Sequence, residues 1–380
     1  MHPLELHEKY QGKLEIKSVI PIDSRETLSK VYTPGVGEVC LKIKEDESNL
    51  AKYTIAGKTV AVISNGTAVL GFGDIGPKAA LPVMEGKSAI FKEFAGINSY
   101  PICITEKDPK KFIEIVKSIA LNFAAINLED ISAPNCFEIE KTLSEELDIP
   151  VVHDDQHGTA IVALAALFGA NELSKRNSLK IVISGAGAAG TAITKILVNA
   201  KSKNLLPISE VRVFDSIGLI SKDRENLSSN KVEIAELTNQ SIFQSFETGI
   251  KDTDVFIGVS VPNSLTKEHV KSMNSSPIIF ALSNPVPEIM PDIAKEAGAF
   301  IVATGRSDFP NQINNALAYP GLFKGLLENK IKKVTDEHKL NVAQIIFNYH
   351  KDNLSLTNLL PSILDKNIPN KIAESLKSIL

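Results

Sequence analysis

The chain has 380 residues, of which 43% are hydrophobic and 23% charged, and its formal net charge is −4. This length suffices for two or three domains, and the small negative charge argues against a nucleic-acid or anionic-membrane partner. We expect no transmembrane span and no signal sequence, because no apolar run is long enough. The three cysteines, Cys40, Cys103 and Cys136, are too few and too widely spaced for a disulfide framework or a zinc motif, which favours a cytoplasmic protein.

The N-terminal region is predicted to contain a helix, an extended segment at residues 14–22 and a second helix that Ser24 caps. Tyr32 follows, and Pro34 and Gly35 then force a turn. On these neighbours alone, Tyr32 is most simply interpreted as a half-buried aromatic residue whose hydroxyl bonds to the backbone.

A predicted strand at residues 60–64 leads into a glycine-rich segment, residues 65–77. From Ser88 onward the pattern is helical, which would place Lys87 near the N-terminus of a helix. The positive end of the helix dipole disfavours a cation there. Lys87 is therefore expected either to be solvated or to have a lowered pKa that serves a purpose.

Acidic residues follow two neighbouring predicted strands. One strand ends in Glu129 and Asp130, and the strand predicted at 149–152 is followed by Asp154 and Asp155. Sites in parallel α/β sheets gather at the carboxyl ends of strands, so we expect Glu129, Asp130 and Asp155 to converge. Carboxylate oxygens suit Mg²⁺ or Mn²⁺ as a bound metal.

The stretch HDDQHGTA, residues 153–160, leaves other interpretations open. An Asp N-cap of the helix predicted at 159–173, followed by solvated polar residues, explains it without a ligand. His153 and His157 also have a spacing found in zinc sites. We favour zinc less, because the stretch crosses a strand-to-helix junction and the two rings need not share a face.

The second half opens with a strand at residues 179–184, a glycine-rich turn and a helix at 191–200. The turn has the spacing G-x-G-x-x-G and consists of Gly185, Ala186, Gly187, Ala188, Ala189 and Gly190. Such glycines let the backbone approach a pyrophosphate, and the helix N-terminus stabilises its charge. The combination predicts a Rossmann-like dinucleotide-binding domain.

Asp215 ends the next predicted strand, near the spacing expected for an acid that binds the cofactor ribose. An acid at this position repels a 2′-phosphate, so we expect NAD as the cofactor. Lys222 and Arg224 follow shortly after and would serve a 2′-phosphate if the loop folds back, which keeps NADP open as the second choice.

Further strands are predicted at 254–260, 277–282 and 300–305, and two amides follow them. Asn284 comes directly after the second of these strands, and Asn315 lies in an amide-rich segment after the third. Amides near a cofactor bind carboxylate or carboxamide groups, and Asx-turns are the alternative explanation.

These patterns predict the α/β class with two domains and a C-terminal helical segment. Residues 1–157 are expected to form an α/β substrate and metal domain. Residues 158–330 are expected to form a doubly wound, Rossmann-like dinucleotide-binding domain. Residues 331–380 are expected to be helical and to pack back on the body of the protein.

Seven motifs occur along the chain in a characteristic order. They are YTPGVGEVC (32–40), NGTAVLGFGDIGPKAALPVMEGKSAIFK (65–92), INLEDI (126–131), HDDQHGTA (153–160), GAGAAG (185–190), ALSNP (281–285) and GRSDFPNQINNALAYPG (305–321). With these motifs the chain resembles the malic enzyme family, specifically its short prokaryotic type, over nearly its whole length. The resemblance implies a homodimer that oxidises (S)-malate with NAD or NADP and a divalent metal and decarboxylates the product to pyruvate.

The same resemblance implies roles for individual residues. They are Tyr32 as general acid, Lys87 as general base, Glu129, Asp130 and Asp155 as metal ligands, residues 185–190 as pyrophosphate loop, and Asn284 and Asn315 as contacts to substrate and nicotinamide. Longer eukaryotic members carry an arginine for the substrate carboxylate where this chain has Ala68. Amides, the metal or another cation must then hold that carboxylate.

Three other functions fit parts of the pattern. A malolactic or oxaloacetate-decarboxylating enzyme would keep the same residues without net reduction of NAD. A non-catalytic NAD-sensing protein on the same fold would tolerate loss of Tyr32, Lys87 and the acids, and all of them are present. An amino-acid dehydrogenase of similar plan would not need the three acids.

Overall fold

The computed structural model describes residues 1–240, 242 and 244–377. Its strands are β1 (Thr59–Ser64), β2 (Asn98–Cys103), β3 (Ala125–Leu128), β4 (Val151–His153), β5 (Leu179–Ser184), β6 (Ile208–Phe214), β7 (Val255–Gly258), β8 (Ile278–Ala281) and β9 (Ile301–Thr304). Its helices are α1 (Pro3–Tyr10), α2 (Arg25–Val31), α3 (Val36–Glu45), α4 (Asn49–Tyr53), α5 (Pro77–Ala95), α6 (Pro109–Ile119), α7 (Asn135–Glu146), α8 (Asp154–Ser174), α9 (Ala188–Ser202), α10 (Ser229–Thr238), α11 (Phe246–Gly249), α12 (Lys267–Ser272), α13 (Pro291–Glu296), α14 (Tyr319–Glu328), α15 (Asp336–His350) and α16 (Ile368–Leu376).

The first sheet has the order β2-β1-β3-β4, and all its strand pairs are parallel. Leu128 of β3 pairs with His153 of β4, so these two strands end side by side. Glu129 and Asp130 follow one strand and the first turn of α8 follows the other. The predicted convergence of acids at one edge of the sheet is therefore the arrangement found.

The second sheet has the order β6-β5-β7-β8-β9 and is also parallel throughout. The chain reverses its direction of winding between β6 and β7, on either side of β5, and α9 follows β5 directly. This is the doubly wound arrangement in which ligands bind beyond the carboxyl ends of the central strands. The predicted α/β class with a Rossmann-like domain is confirmed.

Helix α8 joins the two sheets and contains more buried residues than any other helix in the described part of the chain. Every residue from Ala160 to Ala170 is buried, and its apolar side chains share one core with Val60 of β1 and Ile181 of β5. The apolar pattern predicts that this helix begins at Thr159, but it begins at Asp154. Asp154 and Asp155 thus lie in its first turn, where the helix dipole favours negative charge.

Helix α5 is longer than the apolar pattern indicated. It begins at Pro77 and continues through Pro82 to Ala95, so Lys87 lies near its middle. The prediction that Lys87 sits near a helix N-terminus is wrong. Pro82 and Gly86 are typical of helix ends, but here the helix continues through both. Ser24 caps α2 as expected, its hydroxyl accepting from the Thr27 N–H at 3.0 Å. Residues 14–22 form no strand.

The two ends of the chain differ in burial. Helices α1 to α4 contain no buried residue. At the other end, Leu340 of α15 and Ile372 and Leu376 of α16 belong to the main hydrophobic core. Residues 378–380 of that predicted segment lie outside the described residues. Within the part of the chain that the structure describes, no helix combines the length and the apolar character that crossing a membrane requires.

Candidate active site

Lys87 extends from the middle of α5 into a buried group of carboxylates. Its Nζ lies 2.6 Å from Oδ2 of Asp154 and 2.8 Å from Oε1 of Glu129, and its side chain is only 8% exposed. A buried ammonium ion requires such partners, because its desolvation is otherwise too costly. The structure therefore brings together the predicted base and one predicted metal ligand.

Asp154 is a site residue to which the sequence patterns assign no role. Its side chain is 1% exposed, and its Oδ1 has no hydrogen-bond partner within the protein. The available signal was its place beside Asp155 in the HDDQHGTA stretch. That stretch alone does not reveal which of the two acids meets Lys87, because the orientation follows from where α8 begins.

Tyr319, in the AYPG part of the last motif, was also missed. Its ring centroid lies 4.2 Å from Lys87 Nζ, and its hydroxyl contacts the Lys87 carbonyl at 3.5 Å. Asn315, which precedes it by one helical turn, lies beside the start of α8. A Cβ at Gly158 would lie 3.0 Å from the Asn315 Cβ and 1.9 Å from Oδ1 of Asp154. Asn315 is thus close to the lysine and acid group.

Glu129, Asp130 and Asp155 form the group expected to bind metal. Each offers an oxygen, and these three oxygens lie within 4.8 Å of one another. The backbone N–H of Asp130 donates to Oδ2 of Asp155 at 2.8 Å, and Asn127 donates to Oε2 of Glu129 at 2.9 Å. These bonds fix the group at the ends of β3 and β4.

The electrostatics of this group favour a divalent cation. Together with Asp154, the three acids place four carboxylates around the single ammonium of Lys87. Burial, then the neighbouring charge of Asp155, raises the pKa of Asp130 to about 7. Oδ2 of Asp130 is buried without a hydrogen-bond partner. Hard oxygen ligands with an excess of negative charge fit Mg²⁺ or Mn²⁺.

The direction of the Lys87 pKa differs from the sequence-based expectation. Burial alone lowers the pKa of Lys87, but the charges of Asp154 and Glu129 outweigh it and hold the pKa well above its usual value. The expectation of a lowered pKa is therefore wrong for Lys87 when its only charged neighbours are the carboxylates of this chain. A lower pKa requires another positive charge beside the same carboxylates.

The two histidines of the stretch contact different acids. Nε2 of His153, whose ring is fully buried, lies 3.4 Å from Oδ2 of Asp155, whereas Nε2 of His157 lies 2.9 Å from Oε1 of Glu140. Neither belongs to the possible ligand group formed by the described residues. The geometry gives no support to a zinc site on these two side chains.

Ala68 lies in the loop that covers the acids. Its N–H donates to the carbonyl of Asp130 at 3.0 Å, and the hydroxyl of Thr67 accepts from the Ser132 N–H at 2.9 Å. Position 68 is therefore adjacent to the acid group. Among the described residues, no arginine forms an ion pair with Glu129, Asp130 or Asp155.

Tyr32 lies in a very different environment from the buried Lys87 group. Its side chain is 67% exposed, which corrects the interpretation of a half-buried residue. The backbone hydrogen bonds of Tyr32 connect it to Leu28 and Val36 of its own segment. The described contacts of Tyr32 do not include Lys87 or the acids.

The glycine-rich turn has the geometry expected of a pyrophosphate loop. Gly185 has a φ of +113°, which only glycine adopts without strain, and α9 begins directly after Gly187. Ala188 packs against the apolar cluster of the first sheet, so this turn faces the cleft between the sheets. Ala186, Ala189 and Gly190 complete the turn and the first residues of α9.

Asp215 lies at the end of β6, and both of its carboxylate oxygens are occupied. Arg224 binds them in a bidentate pair at 3.0 Å each, and Lys231 Nζ lies 2.8 Å from Oδ2. The N–H groups of Ile217 and Gly218 donate to Oδ1. Burial opposes these bonds, yet the pKa of Asp215 is held far below its usual value. No sequence pattern indicates Lys231 as a partner of Asp215.

Asn284 lies where the two halves of the chain meet. It is exposed, and a Cβ at Gly71 would lie 1.8 Å from its carbonyl oxygen. Only a glycine at position 71 allows this approach. The loop of the first domain that carries Ala68 therefore lies directly against the loop that follows β8.

Comparisons with known proteins agree with this arrangement. The family model "Malic enzyme, N-terminal domain" matches residues 11–108 and 105–144, and "Malic enzyme, NAD binding domain" matches residues 156–378. The chain is 49% identical to an NAD-dependent malic enzyme of Geobacillus stearothermophilus, over 96% of this chain and 76% of that protein. It is 48% identical to a bifunctional malic/malolactic enzyme of Bacillus subtilis (strain 168), over 98% and 90%.

A solved structure extends the agreement to three dimensions. The crystal structure of an NAD-dependent malic enzyme from Thermotoga maritima superimposes with a TM-score of 0.93 at 43% identity, covering 99% of each chain. Both sheets and the site at their junction fall within this match. The chain therefore belongs to the malic enzyme family.

Proposed function

We propose that this protein oxidises (S)-malate to pyruvate and CO₂ while it reduces NAD, in a reaction that requires Mg²⁺ or Mn²⁺. The observation that carries the proposal is the position of Lys87 between Asp154 and Glu129, beside the oxygens of Asp130 and Asp155. A buried ammonium and several carboxylates in one cleft provide both a proton-transfer group and a cation site.

Glu129, Asp130 and Asp155 are the residues proposed to hold the metal. A bound dication would supply Lewis-acid polarisation of the substrate oxygens. The excess of carboxylates over ammonium groups and the unpartnered Oδ2 of Asp130 support this assignment. Asn284 and Asn315 are proposed to bind the substrate and the nicotinamide, in the absence of an arginine at position 68.

Lys87 is proposed as the group that accepts the proton of the C2 hydroxyl. It must first lose its own proton, and Oδ2 of Asp154, at 2.6 Å, is its nearest acceptor. Tyr319 lies over the ammonium and limits its access to water. Tyr32 is proposed to deliver a proton to C3 after CO₂ has left. A bound nicotinamide cofactor would supply the acceptor for the hydride that leaves C2.

The active protein is proposed to be a homodimer in which each copy supplies Tyr32 to the site of the other. Helices α1 to α4 bury no side chain of their own, although they carry exposed apolar residues such as Leu4, Leu28 and Leu41. Short helices without tertiary packing are marginal in water. A second copy that covers this face would stabilise them and bury Tyr32.

NAD is proposed as the preferred cofactor because a relative that is 49% identical is named an NAD-dependent malic enzyme, and NADP is proposed as a second cofactor that the site accepts. Asp215 would repel a 2′-phosphate if its charge were free. Arg224 and Lys231 neutralise that charge and leave one positive charge in excess. The pyrophosphate is assigned to residues 185–190.

The domain boundaries and the cellular location of the protein are also proposed. We divide the chain into a substrate and metal domain (1–157), a dinucleotide domain (158–330) and a C-terminal segment (331–380). The boundary at 157 falls inside α8, which runs from Asp154 to Ser174. Cytoplasmic location is supported by the three cysteines, which are all unpaired.

A direct assay tests the reaction. Purified protein with (S)-malate and Mn²⁺ should produce NADH and pyruvate in equal amounts, and removal of the metal with a chelator should stop both. The relative named as a bifunctional malic/malolactic enzyme makes the malolactic reaction the second candidate. Lactate formation without accumulation of NADH would favour that reaction over the proposed one.

A further inference from the structure

Glu140 of α7 binds three hydrogen-bond donors that surround the first turn of α8. Its Oε1 accepts from the backbone N–H of His153 at 2.7 Å, and its Oε2 accepts from Nε2 of Gln156 at 2.9 Å. Nε2 of His157 lies 2.9 Å from Oε1 and 3.0 Å from Oε2. One carboxylate thus connects three residues of a single turn.

The three donors flank the acids of the site on both sides. His153 directly precedes Asp154, and Gln156 and His157 directly follow Asp155. The His153 ring also lies 3.4 Å from Oδ2 of Asp155. Any rotation or shift of this turn would therefore move the carboxylates of Asp154 and Asp155 relative to those of Glu129 and Asp130, which follow β3.

Glu140 is well suited to fix the turn. Its side chain is 14% exposed, and the three donors would lose their acceptor together if it were removed. A buried donor without an acceptor is destabilising, so the turn would move to find other acceptors. Partners outside the ligand set generally orient metal ligands in this manner.

We propose that Glu140 is a positioning residue that holds the first turn of α8 in the orientation needed for Asp155 to bind the metal. The inference rests on the proposed metal site. Glu140 touches neither the acids nor Lys87 in the described contacts, and it acts through the backbone of His153 and the side chains of Gln156 and His157.

The choice of variants follows from the surroundings of Glu140. Together with Gln156 and His157 it lines a cleft of about 1030 Å³ between α7, α9 and α10. A truncation such as Glu140→Ala would let water enter and satisfy the donors. Glu140→Met fills the space without an acceptor, whereas Glu140→Gln keeps an acceptor of the same length. Glu138→Gln, exposed on the same helix and lining the same cleft, is the matched control.

The experiment measures the Kd of Mn²⁺ by titration of the full-length protein without substrate, with NADH binding and thermal unfolding in parallel. We expect Glu140→Met to raise the Mn²⁺ Kd by about 10–100-fold, while NADH binding and the folded state persist. Glu140→Gln should stay within a few-fold of the wild type, and Glu138→Gln should equal it. In activity assays at saturating Mn²⁺, the kcat of Glu140→Met should reach most of the wild-type value.

Two outcomes overturn the proposal. Wild-type Mn²⁺ affinity in folded Glu140→Met would show that the turn is held without Glu140. If Glu140→Gln and Glu140→Met weaken Mn²⁺ binding equally, the charge of Glu140 and not its hydrogen bonds would be what supports the site. If Glu140→Met does not fold, Glu140→Asp replaces it: it keeps the charge but is too short to reach all three donors, so it must bind Mn²⁺ more weakly than Glu140→Gln. Failure of the wild type to bind Mn²⁺ would instead overturn the metal site itself.

Discussion

Nζ of Lys87 lies 2.6 Å from Oδ2 of Asp154, and this ion pair joins the middle of α5 to the first turn of α8 across 67 positions of sequence. Both side chains are almost fully buried. A buried pair of this kind is costly to break, because either partner alone would be an uncompensated charge. The pair therefore locks a proton-transfer group beside the acids that end the first sheet.

Replacing Lys87 by Met should remove most of the turnover and leave cofactor binding intact. Loss of a positioned acid or base costs about 10²–10⁴-fold in rate, and Lys87 has no contact with the glycine-rich turn in the described structure. We would measure kcat for malate oxidation and the Kd of NADH. Lys92→Met, on the exposed side of the same helix, serves as control. Full turnover in Lys87→Met would exclude Lys87 as the base.

Replacing Asp155 by Asn should weaken Mn²⁺ binding by about tenfold or more, because the ligand loses its charge. The amide oxygen of Asn still accepts from the Asp130 N–H, so a purely local structural role would be preserved. Titration with Mn²⁺ measures the change directly. Asp148→Asn, at a side chain that is 97% exposed, should have no effect. Unchanged affinity in Asp155→Asn would mean that Asp155 serves only the helix terminus.

Mixed dimers test whether Tyr32 acts across an interface. Lys87→Met and Tyr32→Phe should each be inactive as homodimers. If Tyr32 serves the partner's site, a hybrid of the two variants contains one intact site, and an equilibrated mixture should regain about a quarter of wild-type activity. If Tyr32 serves its own chain, every site in the hybrid lacks one residue and activity stays absent. Activity of the mixture after subunit exchange is the measurement.

Replacing Lys231 by Gln should reduce the use of NADP relative to NAD. Lys231 contributes the charge that leaves the Asp215 group positive, and its loss makes Asp215 and Arg224 an evenly balanced pair. We expect kcat/KM for NADP to fall by about tenfold, since a phosphate contact is worth roughly 1.4 kcal/mol or more, and the value for NAD to change little. Lys222→Gln is the control: Lys222 is the other lysine considered for a 2′-phosphate, but its Nζ bonds to Asn239 and not to Asp215. An equal fall in kcat/KM for NAD and NADP would show that Lys231 does not interact selectively with the 2′-phosphate.

Glu140 should make the stability of the protein depend on pH below 5. Burial alone would raise the pKa of Glu140, but its interactions with His157 and His153 lower it from 4.5 to about 2. Because the pKa is lower in the folded state, the stabilisation is present above pH 4.5 and is lost as the pH falls towards 2. The free energy of unfolding should therefore exceed that of Glu140→Gln by up to about 3 kcal/mol at neutral pH.

Urea unfolding at a series of pH values measures this difference. The gap between the wild type and Glu140→Gln should narrow as the pH falls from about 5 to about 3. Glu138→Gln should show no comparable gap at any pH, because its carboxylate is exposed and makes no described hydrogen bond. A constant gap between the wild type and Glu140→Gln would mean that the carboxylate charge is not what stabilises the fold.

The sequence by itself determined the secondary structure around the site. Period-two and continuous apolar runs placed β1, β5 and β8 within one or two residues, and the G-x-G-x-x-G turn between a strand and a helix identified the dinucleotide domain. Acids directly after two strands predicted the group of Glu129, Asp130 and Asp155, because parallel strands end at one edge. These signals are local, so a single chain segment carries each of them.

Only the tertiary structure decided which distant groups meet. The pairing of Lys87 with Asp154, the ring of Tyr319 over that lysine and the occupation of Asp215 by Lys231 depend on how helices and loops far apart in sequence pack together. The pKa of Lys87 followed the same rule, since its direction is set by carboxylates from β3 and α8 and not by its own helix. Local patterns specify which residues can ionise or bind, whereas burial and Coulomb interactions between segments specify what state they adopt.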